Sequence, residues 1–160
     1  MLLFPEIERL SPNRDASRPH ERLGVVFHHT EISYEETLDL MGRAEFQRSY
    51  HCVIRSDGLR CTLVPDDQIA WHAGASVFQG RSRCNDFMLG LSFACDTYQG
   101  PLTADQIASA LEWLEPRWQR YHWTIDQMTD HRSVAPGRKQ DLNPVEWNRL
   151  RDAILAHFQD

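Results

Sequence analysis

The sequence lacks the features that mark several large classes of protein. No stretch approaches the roughly 20 consecutive apolar residues that a transmembrane helix needs, so we expect no membrane partner. The formal net charge is −6, and no basic stripe alternates with aromatic residues, which argues against nucleic acid as a partner. Repeats, low-complexity tracts and interdomain linkers are also lacking. A chain of 160 residues with these properties is predicted to form one compact domain, and we expect a monomer.

The sequence also lacks a recognisable secretory signal and a motif for metal binding by thiolates. The first residues lack the basic start and long apolar run of a secretory signal, which predicts a cytoplasmic protein or one exported by lysis or by a partner. The sequence has no Cys-x-x-Cys pair, so a zinc knuckle built from four thiolates is not expected. Because nothing indicates export, we expect reduced thiols at all four cysteines, Cys52, Cys61, Cys84 and Cys95.

Short apolar runs alternate with amphipathic stretches along the rest of the chain. Runs of this kind predict strands at 23–28, 50–55, 59–64, 87–95 and 126–129. Apolar residues at helical spacing, preceded by capping residues, predict helices at 33–46, at 103–114 and from Pro144 onward. Pro116 is expected to end or kink the second helix. This order predicts an α/β fold in which helices flank a central mixed sheet.

The residues before the first predicted strand and the residues after the last predicted strand are assigned less regular structure. Residues 1–22 carry several prolines and predict an extended arm that leads into a domain of residues 23–160. Residues 131–143 are rich in proline and glycine and predict a loop.

His28 and His29 close the first predicted strand. Adjacent strand residues point to opposite faces of a sheet, so at most one of the two is expected to reach a shared site. A solvated surface histidine is the simpler interpretation of either residue.

A second polar cluster lies in residues 130–141. It places His131 and Asp141 ten positions apart, with a stiff Pro-Gly turn between them. Neutral imidazole and carboxylate groups are natural zinc ligands, and the two meet if the loop folds back. Lys139 would then place a positive charge beside the metal. A solvated charged loop is the alternative.

Five segments in order complete a pattern that covers roughly residues 23–150. They are Val26-Phe27-His28-His29-Thr30, the run from Ser49 to Gly58, Ala70-Trp71-His72-Ala73-Gly74, the run from Arg83 to Phe87, and the run from His131 to Asp141. In these segments the sequence resembles the type 2 N-acetylmuramoyl-L-alanine amidases, whose fold is shared with phage lysozyme-type amidases and peptidoglycan recognition proteins. It looks closest to the cytosolic amidases that recycle anhydromuropeptides.

The resemblance implies an enzyme that hydrolyses the amide between N-acetylmuramic acid, or its 1,6-anhydro form, and L-alanine. It implies Zn²⁺ held by His28, His131 and Asp141, with the fourth position open as in catalytic zinc sites. Lys139 would stabilise the oxyanion. Tyr50 occupies the place of the catalytic tyrosine in phage-type members and would assist proton transfer.

The resemblance also suggests substrate contacts and contains one departure. Trp71 would offer a flat apolar wall, and Arg83 would bind a peptide carboxylate. Ser92 stands where the recycling amidases carry a catalytic glutamate. A peptidoglycan-binding receptor without amidase activity is therefore one alternative function, and a phage or autolytic amidase that acts on intact wall is the other.

Overall fold

The computed structural model describes residues 2–159; Met1, in the predicted arm, and Asp160, at the end of the predicted domain, lie outside the described residues. The strands within this range are β1 (Glu6–Glu8), β2 (Arg14–Asp15), β3 (Val25–His29), β4 (Cys52–Ile54), β5 (Arg60–Thr62), β6 (Ile69–Ala70), β7 (Val77–Phe78), β8 (Arg81–Ser82), β9 (Leu89–Phe93) and β10 (Met128–Asp130). The helices are α1 (Tyr34–Met41), α2 (Ala104–Arg120), α3 (His131–Val134) and α4 (Pro144–His157). Short 3₁₀ turns lie at Ala44–Phe46, Cys84–Asp86 and Ile125–Gln127.

Six of these strands form one mixed sheet in the order β1-β5-β4-β9-β3-β10. The pairs β1–β5, β4–β9, β9–β3 and β3–β10 are parallel, and β4–β5 is the antiparallel hairpin that the sequence predicts. Two small two-stranded sheets, β2–β6 and β7–β8, lie apart from it. The prediction of a central mixed sheet flanked by helices is confirmed.

Alternation along β3 separates the two faces of this sheet, as strand geometry requires. Val25 and Phe27 point into the main apolar core, where they pack with residues of α2 and α4. Val26 belongs to a smaller cluster on the opposite face, and His28 shares that face because it lies two residues further along. The face opposite α2 and α4 is therefore the one that carries the side chain of His28, whereas His29 points to the other face.

Local capping explains where the helices begin. Ser33 caps α1 and forms a reciprocal capping box with Glu36, as the sequence predicts. Asn143 caps α4, and Pro144 occupies its first turn, where a missing N–H costs nothing.

The second helix extends further than predicted. It does not end at Pro116 but runs on to Arg120. Tertiary contacts hold the added residues: Arg117 pairs with Asp66 at 2.9 Å and lies over the ring of Trp113 at 4.0 Å. These contacts outweigh the local cost of a proline within the helix.

The segment predicted as an extended arm takes part in sheet pairing. Its strand β1 lies parallel to β5, and its strand β2 pairs with β6. The division at residue 22 stays a prediction. The loop predicted at 131–143 begins with the single helical turn α3. No helix among residues 2–159 is long and apolar enough to cross a membrane, and the four cysteines carry no disulfide.

Candidate metal centre and active site

His28, His131 and Asp141 converge at the carboxyl ends of two neighbouring strands. Asp130 of β10 lies opposite Phe27 of β3 in the parallel register, so the residues that follow them, His28 and His131, are neighbours. The Nδ1 atoms of the two histidines are 3.0 Å apart. Asp141 places Oδ1 3.3 Å from Nδ1 of His131 and Oδ2 3.6 Å from Nδ1 of His28. One ligand atom from each residue lies within 4.8 Å of the others.

Asp130 explains how the loop from His131 to Asp141 folds back, so that these two side chains lie side by side. Its Oδ1 accepts a hydrogen bond from the backbone N–H of Ser133, which caps α3, and its Oδ2 accepts one from the N–H of Leu142. The side chain is fully buried. One carboxylate thus ties the start of the loop to its end, and Asp141 is brought back beside His131.

Main-chain carbonyl groups determine which ring nitrogens carry hydrogen. Nε2 of His131 lies 3.0 Å from the carbonyl oxygen of Ala73, which only accepts, so this nitrogen must donate. Nε2 of His28 lies 3.0 Å from Nδ1 of His72, and Nε2 of His72 lies 2.9 Å from the carbonyl oxygen of Met88. This chain of contacts leaves Nδ1 of both His28 and His131 as lone-pair acceptors that face each other.

Burial and neighbouring groups support the same charge state. Burial, together with the nearby His131, lowers the pKa of His28 to about 4. The backbone N–H of His29 donates to Oδ2 of Asp141, and a hydrogen bond of this kind favours the carboxylate form. Two neutral imidazoles and one carboxylate therefore point three acceptors at one small volume. Such an arrangement fits a cation, because facing lone pairs and a carboxylate repel one another unless a positive charge lies between them.

His29 points away from this centre, as the alternation of β3 requires. Its Nδ1 lies 2.8 Å from the hydroxyl oxygen of Thr97 on the other side of the sheet. Its backbone N–H donates to Oδ2 of Asp141 at 3.2 Å. The structure thus brings one histidine of the pair to the centre by its side chain, and the other by its main chain alone.

A pocket of about 470 Å³ opens beside the three acceptors. Its walls include three of the residues predicted for catalysis or substrate contact, namely Tyr50, Trp71 and Lys139. The ring of Tyr50 lies 5.2 Å from the ring of His28, and burial raises the pKa of Tyr50 to about 12. Tyr50 is therefore a neutral phenol that keeps its proton at neutral pH.

Of the four residues predicted for catalysis or substrate contact, Arg83 does not line this pocket. Its side chain is 75% exposed and lies 3.6 Å from Asp86. Its backbone is in the left-handed region, with φ 67°, where it begins the short 3₁₀ turn of residues 84–86. The predicted contact between Arg83 and a substrate carboxylate stays a prediction.

Three charged residues that the sequence analysis did not single out also line the pocket: Glu31, Arg48 and Arg138. Arg138 reaches across Gly74 and donates to the carbonyl oxygens of Ala73 and Ala75 at 2.5 and 2.8 Å. Their positions next to the predicted motifs were visible in the sequence, since Arg48 precedes Ser49-Tyr50 and Arg138 precedes Lys139. No spacing rule distinguishes them there from ordinary surface charges.

Ser92 lies on the same face of the central sheet as His28. It is opposite His28 in the β3–β9 register, it is fully buried, and its hydroxyl has no hydrogen-bond partner among the described residues. The small side chain leaves this position without a carboxylate, as the sequence indicates.

Comparison with known proteins identifies a protein family that matches this chain. A family model described as N-acetylmuramoyl-L-alanine amidase matches residues 18–144. The 1,6-anhydro-N-acetylmuramyl-L-alanine amidase AmpD of Enterobacter cloacae is 39% identical over 118 residues, which cover 73% of this chain and 62% of that protein. The N-acetylmuramoyl-L-alanine amidase AmiD of Escherichia coli (strain K12) is 28% identical over an alignment of 169 positions, which covers 95% of this chain and 60% of that protein.

The fold agrees with these similarities. A crystal structure of a selenomethionine derivative of AmpD superimposes with a TM-score of 0.80 and 28% identity, and the match covers 96% of both chains. The chain spans less than two thirds of the length of the two curated relatives described above, 62% and 60% respectively.

Proposed function

Because this chain belongs to the N-acetylmuramoyl-L-alanine amidase family, we propose that it hydrolyses the amide between N-acetylmuramic acid and the L-alanine of the stem peptide. We take the 1,6-anhydro form of the sugar as the substrate and cell-wall recycling as the role, since the name of the relative at 39% identity specifies that form. The convergence of His28, His131 and Asp141 beside an open pocket is the observation that carries the proposal.

We propose Zn²⁺ as the metal. Two imidazole nitrogens and one carboxylate oxygen are a ligand set that zinc uses in hydrolases, and a fourth position that faces a pocket distinguishes a catalytic site from a closed structural one. When bound, zinc would supply a Lewis acid that polarises the scissile carbonyl and lowers the pKa of water.

The remaining chemistry falls to side chains in the pocket. A water molecule adds its oxygen to the lactyl carbonyl carbon, the C–N bond breaks, and the alanine nitrogen leaves with one added proton. Lys139, whose side chain forms no ion pair within residues 2–159, would offset the negative charge that develops on the carbonyl oxygen. Tyr50 keeps its proton at neutral pH, so it can orient water by hydrogen bonding and assist transfer of a proton to the leaving nitrogen.

Substrate contacts follow from the pocket walls. The half-buried Trp71 offers a flat apolar surface to the sugar or the stem peptide. Arg83 stays a proposed partner of a peptide carboxylate. It would have to act from outside the pocket, on a part of the peptide that extends over the 3₁₀ turn of residues 84–86.

A peptidoglycan-binding protein without amidase activity is the second candidate function. Ser92 favours it, because a hydroxyl cannot act as the general base that a carboxylate in this position would supply. The complete set of three acceptors and Lys139 favours the enzyme.

Metal analysis combined with an activity assay separates these functions. The purified protein is incubated with anhydromuramoyl tripeptide, with and without a chelator, and the release of free peptide is followed. We expect about one zinc ion per chain, as for a single mononuclear site, and cleavage that the chelator abolishes. Cleavage of intact wall alone would replace recycling by a lytic role. Bound zinc without cleavage of either substrate would establish the receptor, and absence of zinc would refute the ligand assignment.

The cytoplasmic location and the monomeric state stay predictions. Fractionation of cells that produce the protein with a carboxy-terminal tag checks the first, and light scattering of the purified protein checks the second.

A further inference from the structure

His72 is a buried side chain that contacts one proposed metal ligand directly and is not itself part of the ligand set. We propose that His72 is a positioning residue, which holds His28 in the tautomer and orientation that direct its Nδ1 lone pair toward the metal. This inference rests on the proposed zinc site.

The hydrogen-bond geometry dictates the direction of every donor. The carbonyl oxygen of Met88 accepts only, so Nε2 of His72, 2.9 Å away, carries the hydrogen. A neutral imidazole then has a lone pair on Nδ1, which lies 3.0 Å from Nε2 of His28. That nitrogen of His28 must donate, and its Nδ1 is left unprotonated. The opposite assignment would place two lone pairs 2.9 Å apart at Met88.

The sheet is built to admit the ring of His72. Gly90 lies in the interior of β9, where glycine normally weakens a strand, and it does not have the positive φ that would otherwise explain it. A Cβ atom at this position would lie 2.4 Å from Cγ of His72. Close approach of the imidazole is therefore what requires glycine here.

The main chain of His72 is fixed as well. Oδ1 of Asn85 accepts hydrogen bonds from the N–H groups of His72 and Ala73, at 3.0 and 2.8 Å. The carbonyl oxygen of Ala73 in turn accepts from Nε2 of His131. The same two consecutive residues thus contact both histidine ligands, one through its ring and the other through its main chain.

His20 provides a matched control within the same protein. It is as buried as His72, and its Nε2 lies 3.1 Å from the same carbonyl oxygen of Met88. Its Nδ1 accepts from the backbone N–H of Arg22 and not from a ligand. Substitution of His20 removes a buried imidazole from the same carbonyl without disturbing His28.

The test compares zinc affinity, measured by competition with a chromophoric chelator, in wild type, His72→Leu, His72→Gln and His20→Leu. Loss of a partner of this kind commonly weakens metal binding by about 10-fold to 100-fold, and we expect that loss in His72→Leu. His72→Gln keeps a donor and an acceptor and should recover part of the affinity. His20→Leu should bind zinc as wild type does.

A spectroscopic measurement needs no variant. In ¹⁵N-labelled, zinc-loaded wild-type protein, a scalar coupling between Nε2 of His28 and Nδ1 of His72 is expected across the N–H···N hydrogen bond. If wild type binds zinc but the coupling is absent, or if His72→Leu binds zinc as tightly as His20→Leu, the positioning role is refuted. If wild type binds no zinc, the proposed function itself fails.

Discussion

Two polar clusters, one around Arg60 and one around His28, lie on opposite faces of the central sheet. They differ in how far their hydrogen-bond acceptors are matched by donors. On the face toward α2, the guanidinium of Arg60 donates to Glu6, to Ser109 and to Glu112 at 3.4, 3.1 and 2.9 Å. Glu112 also accepts from the N–H groups of Leu3 and Phe4. On the other face, three acceptor side chains meet, and the backbone N–H of His29 donates to one of them, Asp141, at 3.2 Å.

This difference indicates that the first cluster stabilises the fold and that the second serves function. In the Arg60 cluster each acceptor has a donor, so the cluster is complete without anything added and ties the amino-terminal strand to a helix. The His28 cluster is completed only by a cation, since facing lone pairs and a carboxylate repel one another at these distances. A change in the first cluster should therefore alter folding, and a change in the second should alter chemistry.

The largest expected effect comes from the acceptor cluster. Asp141→Asn keeps the size of the side chain but removes its charge, and kcat/KM for the anhydromuramoyl tripeptide should fall by at least about 1000-fold, or about 4 kcal/mol. Zinc affinity should fall as well, while the metal-free variant still unfolds cooperatively in urea. Wild-type zinc affinity in this variant would contradict the assignment of Asp141.

The next variant changes the Arg60 cluster and leaves the His28 cluster intact. A hydrogen bond to a charged group commonly contributes about 1.5 to 3 kcal/mol, and we expect Arg60→Met to lose stability on this scale because the partly buried Glu112 loses its cation. Zinc affinity at a temperature where the variant is folded should match wild type. Arg43→Met is the matched control, since Arg43 pairs with Asp39 at 2.7 Å on the surface, where such pairs contribute about 0 to 1 kcal/mol. Equal urea midpoints for the two variants would refute the contrast.

A third variant changes neither cluster but acts on the reaction. Lys139→Met should keep zinc affinity and urea stability and lose about 100-fold to 1000-fold in kcat, as when one oxyanion partner is removed from other hydrolases. Turnover near the wild-type rate would show that Lys139 does not stabilise the developing charge.

The effect that is smallest near neutral pH is a dependence of stability on pH. Burial, helped by the nearby His20, lowers the pKa of His51 from 6.5 to about 3. Between these values the unfolded chain binds a proton that the native state excludes, so the free energy of unfolding falls as pH falls from about 6.5 toward about 3. In urea titrations of the metal-free protein, His51→Gln should show a weaker decline over that range than wild type. An unchanged slope would show that His51 does not contribute.

The parts of the fold set by local chemistry were predicted from the sequence, and those set by distant contacts were not. Ser33 and Pro144 mark helix starts because capping depends on neighbouring residues only. The pairing of β1 with β5 depends on main-chain hydrogen bonds between segments more than 50 positions apart, of which Glu6 opposite Arg60 is one example. Arg117 holds α2 beyond Pro116 through Asp66, which is equally distant in sequence.

Some features of the candidate site could likewise be predicted from the sequence, and others could not. The motif segments indicated His28, His131 and Asp141, and the structure brings these three together. The hydrogen-bonding role of His72 and the reason for Gly90 could not be read from the sequence, because both depend on how β9 lies beneath a distant loop. A sequence pattern identifies ligands by type, whereas the orientation of a ligand is set by carbonyl groups that have no residue-specific signature.

The carboxylate of Asp130 has a consequence for engineering. By binding the N–H groups of Ser133 and Leu142, it closes a loop whose ends lie 12 positions apart. Both ends are held by this carboxylate, and Arg138 between them is held by the carbonyl oxygens of Ala73 and Ala75, so exchange is confined to the exposed Pro136 and Gly137. Libraries confined to these two positions would vary the surface beside the pocket while His131 and Asp141 keep their places.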